Sequence, residues 1–317
     1  MSKDDFRSRI GRLINPIGFK VIATARSEAV VEHLASLGYH AVQLDVTDAA
    51  SIDRCREIVV GLTGGRLDIL MNNAQVPPTQ PSKHEIQPKT NRPRNSGRGL
   101  VLPATDSPID EIRSVYETNV FAVMAMTRSF IDLLIPARGL IINVASISAL
   151  IPYVFGSIYA SSKAAVCSYS RSLRQELRPF GVRVQVVMAG AVRSNISANT
   201  AKTRVLPSDS LYARVRHLYE RRQGYSQSKA SGSLPTEVFA RKLVDKALAS
   251  EVAPFWRSWF GRPDWLYYGG MTRLLWWGSV LGEWVTDLGS WRTFRLHELE
   301  AVVQREAAAA KVGQKVK

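Results

Sequence analysis

Between Phe19 and Met188 the apolar residues switch repeatedly between short continuous runs and helical spacing, and this alternation restricts the fold more than any other feature of the chain. Phe19–Thr24 reads as a buried strand, Glu28–Leu37 as a helix closed by Gly38, His40–Leu44 as a strand and Ala49–Gly61 as a helix. Leu67–Met71, Gly139–Ala145 and Val182–Met188 read as further strands, separated by long helices over Ile109–Leu134 and Ile158–Arg178. Parallel strands need crossovers of helix length, and continuous Val/Ile/Leu runs need cover on both faces. The expected fold is therefore α/β, a doubly wound parallel sheet. Residues 1–253 are expected to form this domain, interrupted by a polar, proline-rich and disordered insertion at 75–96. Residues 254–317 are expected to form an aromatic extension ending in a frayed polar tail.

A hydrophobic fraction of 45% suffices for a core without disulfides. Cys55 and Cys167 lack metal-ligand spacing and are expected to be structural thiols in a reducing compartment. The formal net charge is +15, drawn largely from Lys83–Arg98 and Lys202–Lys229. With no zinc-finger spacing or RNA-binding signature, nucleic acid is not the expected partner. The charge suits an anionic cofactor, substrate or membrane surface, or is simply solvated. The first residues carry no apolar signal segment, and Leu266–Gly289 is broken by Arg273, Glu283 and Asp287. A cytoplasmic protein follows as the expectation, with peripheral contact to an intracellular membrane or lipid droplet left open.

The residues with chemistry in them begin with Tyr159 and Lys163, one helical turn apart and so on one face. An ammonium beside a phenol favours the phenolate, which makes Tyr159 a candidate acid/base. Ser146, closing an Ile/Val-rich strand, can hydrogen-bond the same substrate oxygen. A Tyr-x-x-x-Lys pair alone is weak evidence, but its context is ordered. Asn72-Asn73-Ala74 ends one strand, Thr118-Asn119-Val120 lies in the next long helix, and Asn143-Val-Ala-Ser146 ends the following strand.

In that order, over roughly 19–194, these motifs resemble the short-chain dehydrogenase/reductase family, which has a Rossmann-like fold. The resemblance implies Tyr159 as general acid/base and Lys163 as the group that lowers its pKa and holds the nicotinamide ribose. It implies Ser146 as the residue positioning the carbonyl, and Asn119 as support for a proton relay through water. Asp45 and Val46 would contact the adenine, Asn73 and Ala74 the cofactor near its ribose, and Val192 and Ser194 the nicotinamide. The last two lie in a segment where Ala189 stands for the family's usual proline. Thr24 and Arg26 sit at a strand end where an arginine suits the 2′-phosphate of NADP(H). The implied substrate is a small-molecule carbonyl or alcohol, with no metal and with a homo-oligomer left open.

Two departures stand out. The family opens with a strand and a Gly-rich turn that receives the pyrophosphate. Here Gly11 and Gly18 are isolated, and Asp4–Gly18 reads as the helix that should follow that turn. A missing central strand would leave a gap in the sheet. Secondly, Gln75 follows Asn72-Asn73-Ala74 where the family has glycine; removing Gln75–Ser96 would join Ala74 to Gly97 and restore the motif. The chain is accordingly read as a gene model with a retained intron and a wrong start, or as a decayed paralogue. A catalytically impaired or scaffolding protein is the rival to the enzyme. Within the family, Gly18–Arg26, Thr118–Phe121 and the aromatic extension are similar to the fungal NADPH-dependent 1-acyl-dihydroxyacetone-phosphate reductase group. That implies a lipid-like or secondary-metabolite ketone. All seven Trp residues lie beyond Pro254, suited to lipid headgroups or, equally, to closing a substrate pocket or a dimer contact.

Overall fold

The computed structural model describes residues 6–14, 18–73, 101–193, 205–226, 228–257 and 260–315. The insertion at 75–96 and the expected site residues Ala74 and Ser194 lie outside them. In chain order the first elements are α1 (Phe6–Ile14), β1 (Ile22–Ala25), α2 (Glu28–Ser36), β2 (His40–Gln43), α3 (Ala49–Thr63) and β3 (Ile69–Asn72). After them come α4 (Ile109–Tyr116), α5 (Ala122–Leu134), β4 (Leu140–Ser146), α6 (Ser157–Leu177) and β5 (Arg183–Ala189). The chain continues with α7 (Arg216–Tyr225), α8 (Thr236–Ala247), β6 (Trp265–Tyr268), α9 (Thr272–Leu281), α10 (Glu283–Thr293) and α11 (Leu296–Lys315). The alternation read from periodicity is thus present, with element ends displaced by a residue or two and β1 beginning three residues later than expected.

Every strand pairing is parallel, yet the strands form two sheets: β1–β2, and β3–β4–β5–β6. The break falls between β1 and β3, where the absent strand was expected to leave a gap. A cavity of about 870 Å³ occupies that break. Helix α1, expected from Asp4–Gly18, lies over the cavity; Gly11 meets Tyr39 so closely that an added Cβ would stand 2.6 Å from its ring. Gly11 is therefore a packing residue.

The strongest part of the sheet is β4 against β5. All seven residues of β4 are buried, as its unbroken Leu-Ile-Ile-Asn-Val-Ala-Ser run requires, and each fully buried aliphatic side chain there contributes about 1.5–3 kcal/mol. The Asn72 side chain donates to Asn143 Oδ1 at 2.9 Å across the register pair, and Asn143 donates to Ser170 Oγ at 2.9 Å on α6. A buried polar ladder thus ties β3, β4 and α6 together. Two polar residues of β5 look the other way. Arg183 pairs with Glu251 at 2.6 Å and Asp264 at 3.0 Å, while Gln185 donates to the Pro263 carbonyl at 2.8 Å.

The aromatic extension supplies the edge strand β6, which periodicity did not show: Trp265-Leu-Tyr-Tyr268 pairs with Val186–Ala189. The tail, expected to fray, is helical over Leu296–Lys315 and is held by His217–Glu298 at 2.8 Å and by an Arg214–Glu306 ion pair. Part of the 202–229 basic stretch is thereby used internally.

Candidate active site

The long helix expected over Ile109–Leu134 is interrupted by a π-helical turn at Glu117–Phe121. Such a turn adds a residue to the helix and redirects side chains, and is frequent at functional sites. Here it buries Asn119, 1% exposed, whose amide donates to Ser162 Oγ at 3.0 Å; Ser162 in turn donates to the Tyr159 carbonyl at 2.7 Å. Asn119 is so tied to the helix turn that carries Tyr159.

Ser146 ends β4 and caps the short turn that follows. Its Oγ accepts from the Ser148 amide at 3.2 Å and from the Ser148 hydroxyl at 2.9 Å. With its lone pairs engaged, the Ser146 proton is directed outward, toward the side of the Tyr159 hydroxyl, whose phenolate form Ser146 favours. Lys163, 3% exposed, lies one turn along α6 with its Nζ 5.8 Å from the Tyr159 ring centre and donating to the Val144 carbonyl at 3.0 Å. Ser146, Tyr159, Lys163 and Asn119 are therefore gathered at the carboxyl end of β4, where ligands bind in open α/β sheets.

Burial dominates the electrostatics of the pair. Burial raises the Tyr159 pKa well above its ordinary value, the nearby Tyr153 adds to the rise, and the Ser146 hydrogen bond opposes it. The Lys163 ammonium is itself desolvated, which lowers its pKa to about 8. Tyr159 is a neutral phenol at physiological pH. Burial likewise pushes the Cys55 and Cys167 thiols up to about 11, and both are free.

The expected cofactor residues form a second group at one end of the cavity between β1 and β3, which is lined there by Thr24, Arg26, Asp45, Val46 and Asn73. Arg26 is exposed, and its carbonyl accepts from the Gln43 side chain at 3.1 Å, so its guanidinium reaches solvent from a fixed backbone. Asp45 spends Oδ1 on the amide and hydroxyl of Thr47, at 3.0 and 2.7 Å, and shapes that turn. Val192 bridges to Leu234 beyond the end of β5. Just before it, Gly190 is clasped: an added Cβ would stand 2.1 Å from Thr272 Oγ1 and 2.4 Å from the Gly270 carbonyl.

Sequence reasoning missed several residues in this neighbourhood. Ser148 and Ser162 orient Ser146 and Asn119. The Tyr153 ring stands 5.9 Å from that of Tyr159, and the guanidinium of the buried Arg222 lies 4.1 Å above Tyr153 and bonds the Val154 carbonyl at 2.9 Å. Gly269, Gly270 and Thr272 enclose Gly190. None of these follows a spacing rule; only the Gly269-Gly270 pair carried a signal, as a turn.

A parallel sheet between helices, carrying a serine, tyrosine and lysine at a strand end, defines an α/β oxidoreductase site. Comparison with known proteins identifies the class. The family model for short chain dehydrogenases matches residues 93–205. The short-chain dehydrogenase fogD of Aspergillus ruber is 30% identical over 300 residues, 94% of this chain and 91% of that one. The NADPH-dependent 1-acyldihydroxyacetone phosphate reductase of Schizosaccharomyces pombe is 34% identical over 204 residues, 63% of this chain and 62% of that one. Among solved structures, a short-chain dehydrogenase from Streptomyces avermitilis superposes with a TM-score of 0.64 at 23% identity, covering 96% of this chain and 95% of that one. The chain belongs to the short-chain dehydrogenase family.

Proposed function

We propose that the protein is an NADP(H)-dependent carbonyl reductase acting on a lipid-like or secondary-metabolite ketone. The observation that carries this is Ser146 at the end of β4 beside Tyr159, with Lys163 buried one turn along α6 and its ammonium 5.8 Å from the Tyr159 ring centre. The residues present fit a dinucleotide at its ribose and nicotinamide ends. Arg26 is free to meet a 2′-phosphate, Asn73 stands at the end of β3, and the Lys163 ammonium uses one of its three protons on Val144. Ala74 and Ser194 belong to the same proposed contacts. Asp45 and Val46 would flank the adenine, and Val192 the nicotinamide. The cofactor when bound supplies the hydride for the carbonyl carbon. Tyr159, kept protonated by burial, gives its proton to the carbonyl oxygen as charge develops there. Ser146 donates a second hydrogen bond to the same oxygen. Asn119, its amide held by Ser162, would support a water relay by which Tyr159 regains a proton, and the Lys163 charge would steady the transient phenolate.

The substrate class draws on the kinship with the fission-yeast reductase and on the surface of the extension. Leu274, Trp277, Val280, Leu281 and Trp284 of α9 and its junction with α10 are exposed, Trp284 to 69%. Exposed tryptophan and leucine on a basic protein suit peripheral contact with a membrane. No helix of the described residues is long and apolar enough to cross one. Liposome flotation, compared with a Trp277→Ser/Trp284→Ser variant, tests the contact.

The rival reading, an impaired paralogue, draws on the split sheet beside the cofactor residues. Fluorescence titration with NADPH and NADH decides between them. Saturable binding that prefers NADPH is expected, and Tyr159→Phe should keep that affinity while losing turnover of a ketone panel. No cofactor binding by the folded chain overturns the proposal.

A further inference from the structure

We infer that Arg222 of α7, with Ser290 and Phe294 of the aromatic extension, are positioning residues for Tyr159, acting through the strap at 152–155 that leads into α6. The inference rests on the reading of Tyr159 as the proton donor. Helix α6 begins at Ser157 with Gly156 as its cap and no side-chain cap bond, and Tyr159 lies in its first turn. The first amides of a helix have no partner within it, so this end of α6 takes its direction from what precedes it. What precedes it is strained. Phe155 is buried with φ at 57°, in the left-handed region where an aromatic residue stays only if its surroundings hold it.

Each residue of the strap is held from outside it. The Pro152 carbonyl accepts from Ser290 Oγ at 3.1 Å, and the Val154 carbonyl from Arg222 Nε at 2.9 Å. Tyr212 and Tyr219 meet the Phe155 ring edge-on, with ring centres 5.0 and 5.9 Å away. The Arg222 guanidinium lies 4.1 Å from the centre of the Tyr153 ring and 4.9 Å from that of Phe294, which the Tyr225 ring braces at 5.2 Å. Arg222 is 1% exposed; among the described residues it pairs with no carboxylate, and its Nη2 has no acceptor. Burying a guanidinium without a counter-ion is costly, and a hydrocarbon of similar length would fill the space at less cost. What the guanidinium adds is a flat cation for two aromatic faces and an N–H for the Val154 carbonyl, and both act on the strap. The Tyr153 ring so held stands 5.9 Å from that of Tyr159, tilted by 49°. The extension thereby reaches the reacting tyrosine through Arg222 and Tyr153.

The test incorporates 3-fluorotyrosine into the full chain and follows the ¹⁹F line of Tyr159, assigned by its loss in Tyr159→Phe, beside NADPH titration and ketone turnover. Phe294→Leu and Arg222→Met keep most of the bulk and remove the flat contacts. Phe294→Tyr keeps the aromatic face, and Ile52→Val, in the core away from the strap, controls for lost stability. In the first two variants the Tyr159 line should shift and titrate at lower pH, since a loosened strap admits water to a phenol that burial holds high. Their kcat at pH 7 should fall about tenfold or more, with the NADPH Kd within about twofold of the parent value. Phe294→Tyr should bring back both the line and the turnover, and Ile52→Val should alter neither. If Arg222→Met fails to fold, Phe294→Leu decides. A Tyr159 line and kcat that stay at the parent values in Phe294→Leu would overturn the inference. So would equal losses in Ile52→Val, or a fall in NADPH affinity that matches the fall in turnover. A chain that reduces no ketone overturns the reductase reading alone, because the ¹⁹F comparison needs no turnover.

Discussion

Lys163 shows how far a side chain's chemistry depends on where the fold puts it. Its spacing from Tyr159 is written in the sequence, but the depth of its ammonium is not, and that depth lowers its pKa from 10.5 to about 8. The unfolded chain therefore binds the extra proton between those values, so this group weakens the folded state most below pH 8 and the loss is recovered as pH rises through the window. Lys163→Met should accordingly raise stability at pH 7 by on the order of 1–3 kcal/mol, while reductase turnover is lost. Urea melts at pH 7 and pH 10 check this; the variant's advantage must shrink at the higher pH. Gly190 marks the opposite case. A methyl group there would overlap Thr272 and Gly270, so Gly190→Ala should cost about 3 kcal/mol or more, read as a fall in Tm of at least several degrees. The meeting of Ser146, Tyr159 and Lys163 was legible because a strand end and a one-turn helical spacing fix where those side chains lie. The direction of the Tyr159 shift was not, because desolvation is a property of the packed protein, and a one-turn spacing says nothing about it.

Secondary structure repeats the lesson one level up. A hydrophobic period of 3.6 runs through Ile109–Leu134, and a single helix is the natural reading, but the π turn at Glu117–Phe121 is invisible to a period averaged over turns. That turn is what buries Asn119 against Ser162. Asn119→Ala should destabilise the chain by about 1–2 kcal/mol through the lost bond to the buried Ser162 oxygen, and should lower turnover far more than NADPH affinity, as steady-state kinetics beside a cofactor titration would show. Strand β6 was missed for another reason: its four residues are all large and apolar, with no alternation to read, in a segment dominated by tryptophan. What fixes it is charge. Arg183 reaches from β5 to Glu251 and Asp264 on the approach to β6. Removing one member of such a partly buried cluster leaves the others uncompensated, so Arg183→Met should cost about 3–5 kcal/mol, measurable by urea denaturation.

At the scale of the whole molecule the chain has two cores on either side of an unfilled position. One cluster runs from Val42 and Ile52 to Leu134 and Val184, the other from Ile10 to Leu243 and Leu266, and both reach the cavity between β1 and β3. The gap was legible because a doubly wound pattern has a definite number of units and this one is short of a strand; the way the remaining strands would close was not, since pairing across a gap depends on helices packed from distant parts of the chain. They do not close: the helices hold β1 and β3 apart. Small residues on the opposing helices, Ala122 of α5 and Ala247 of α8, line the space, whereas Ala240, also buried on α8, does not. Adding carbon to a filled core costs about 1–3 kcal/mol, but adding it beside a void restores lost contacts. Ala122→Leu combined with Ala247→Leu should therefore raise Tm, by about 1–2 kcal/mol of stability, while Ala240→Leu should lower it. If the double variant is as damaging as the control, the two cores already meet in solution and the cavity between them is closed.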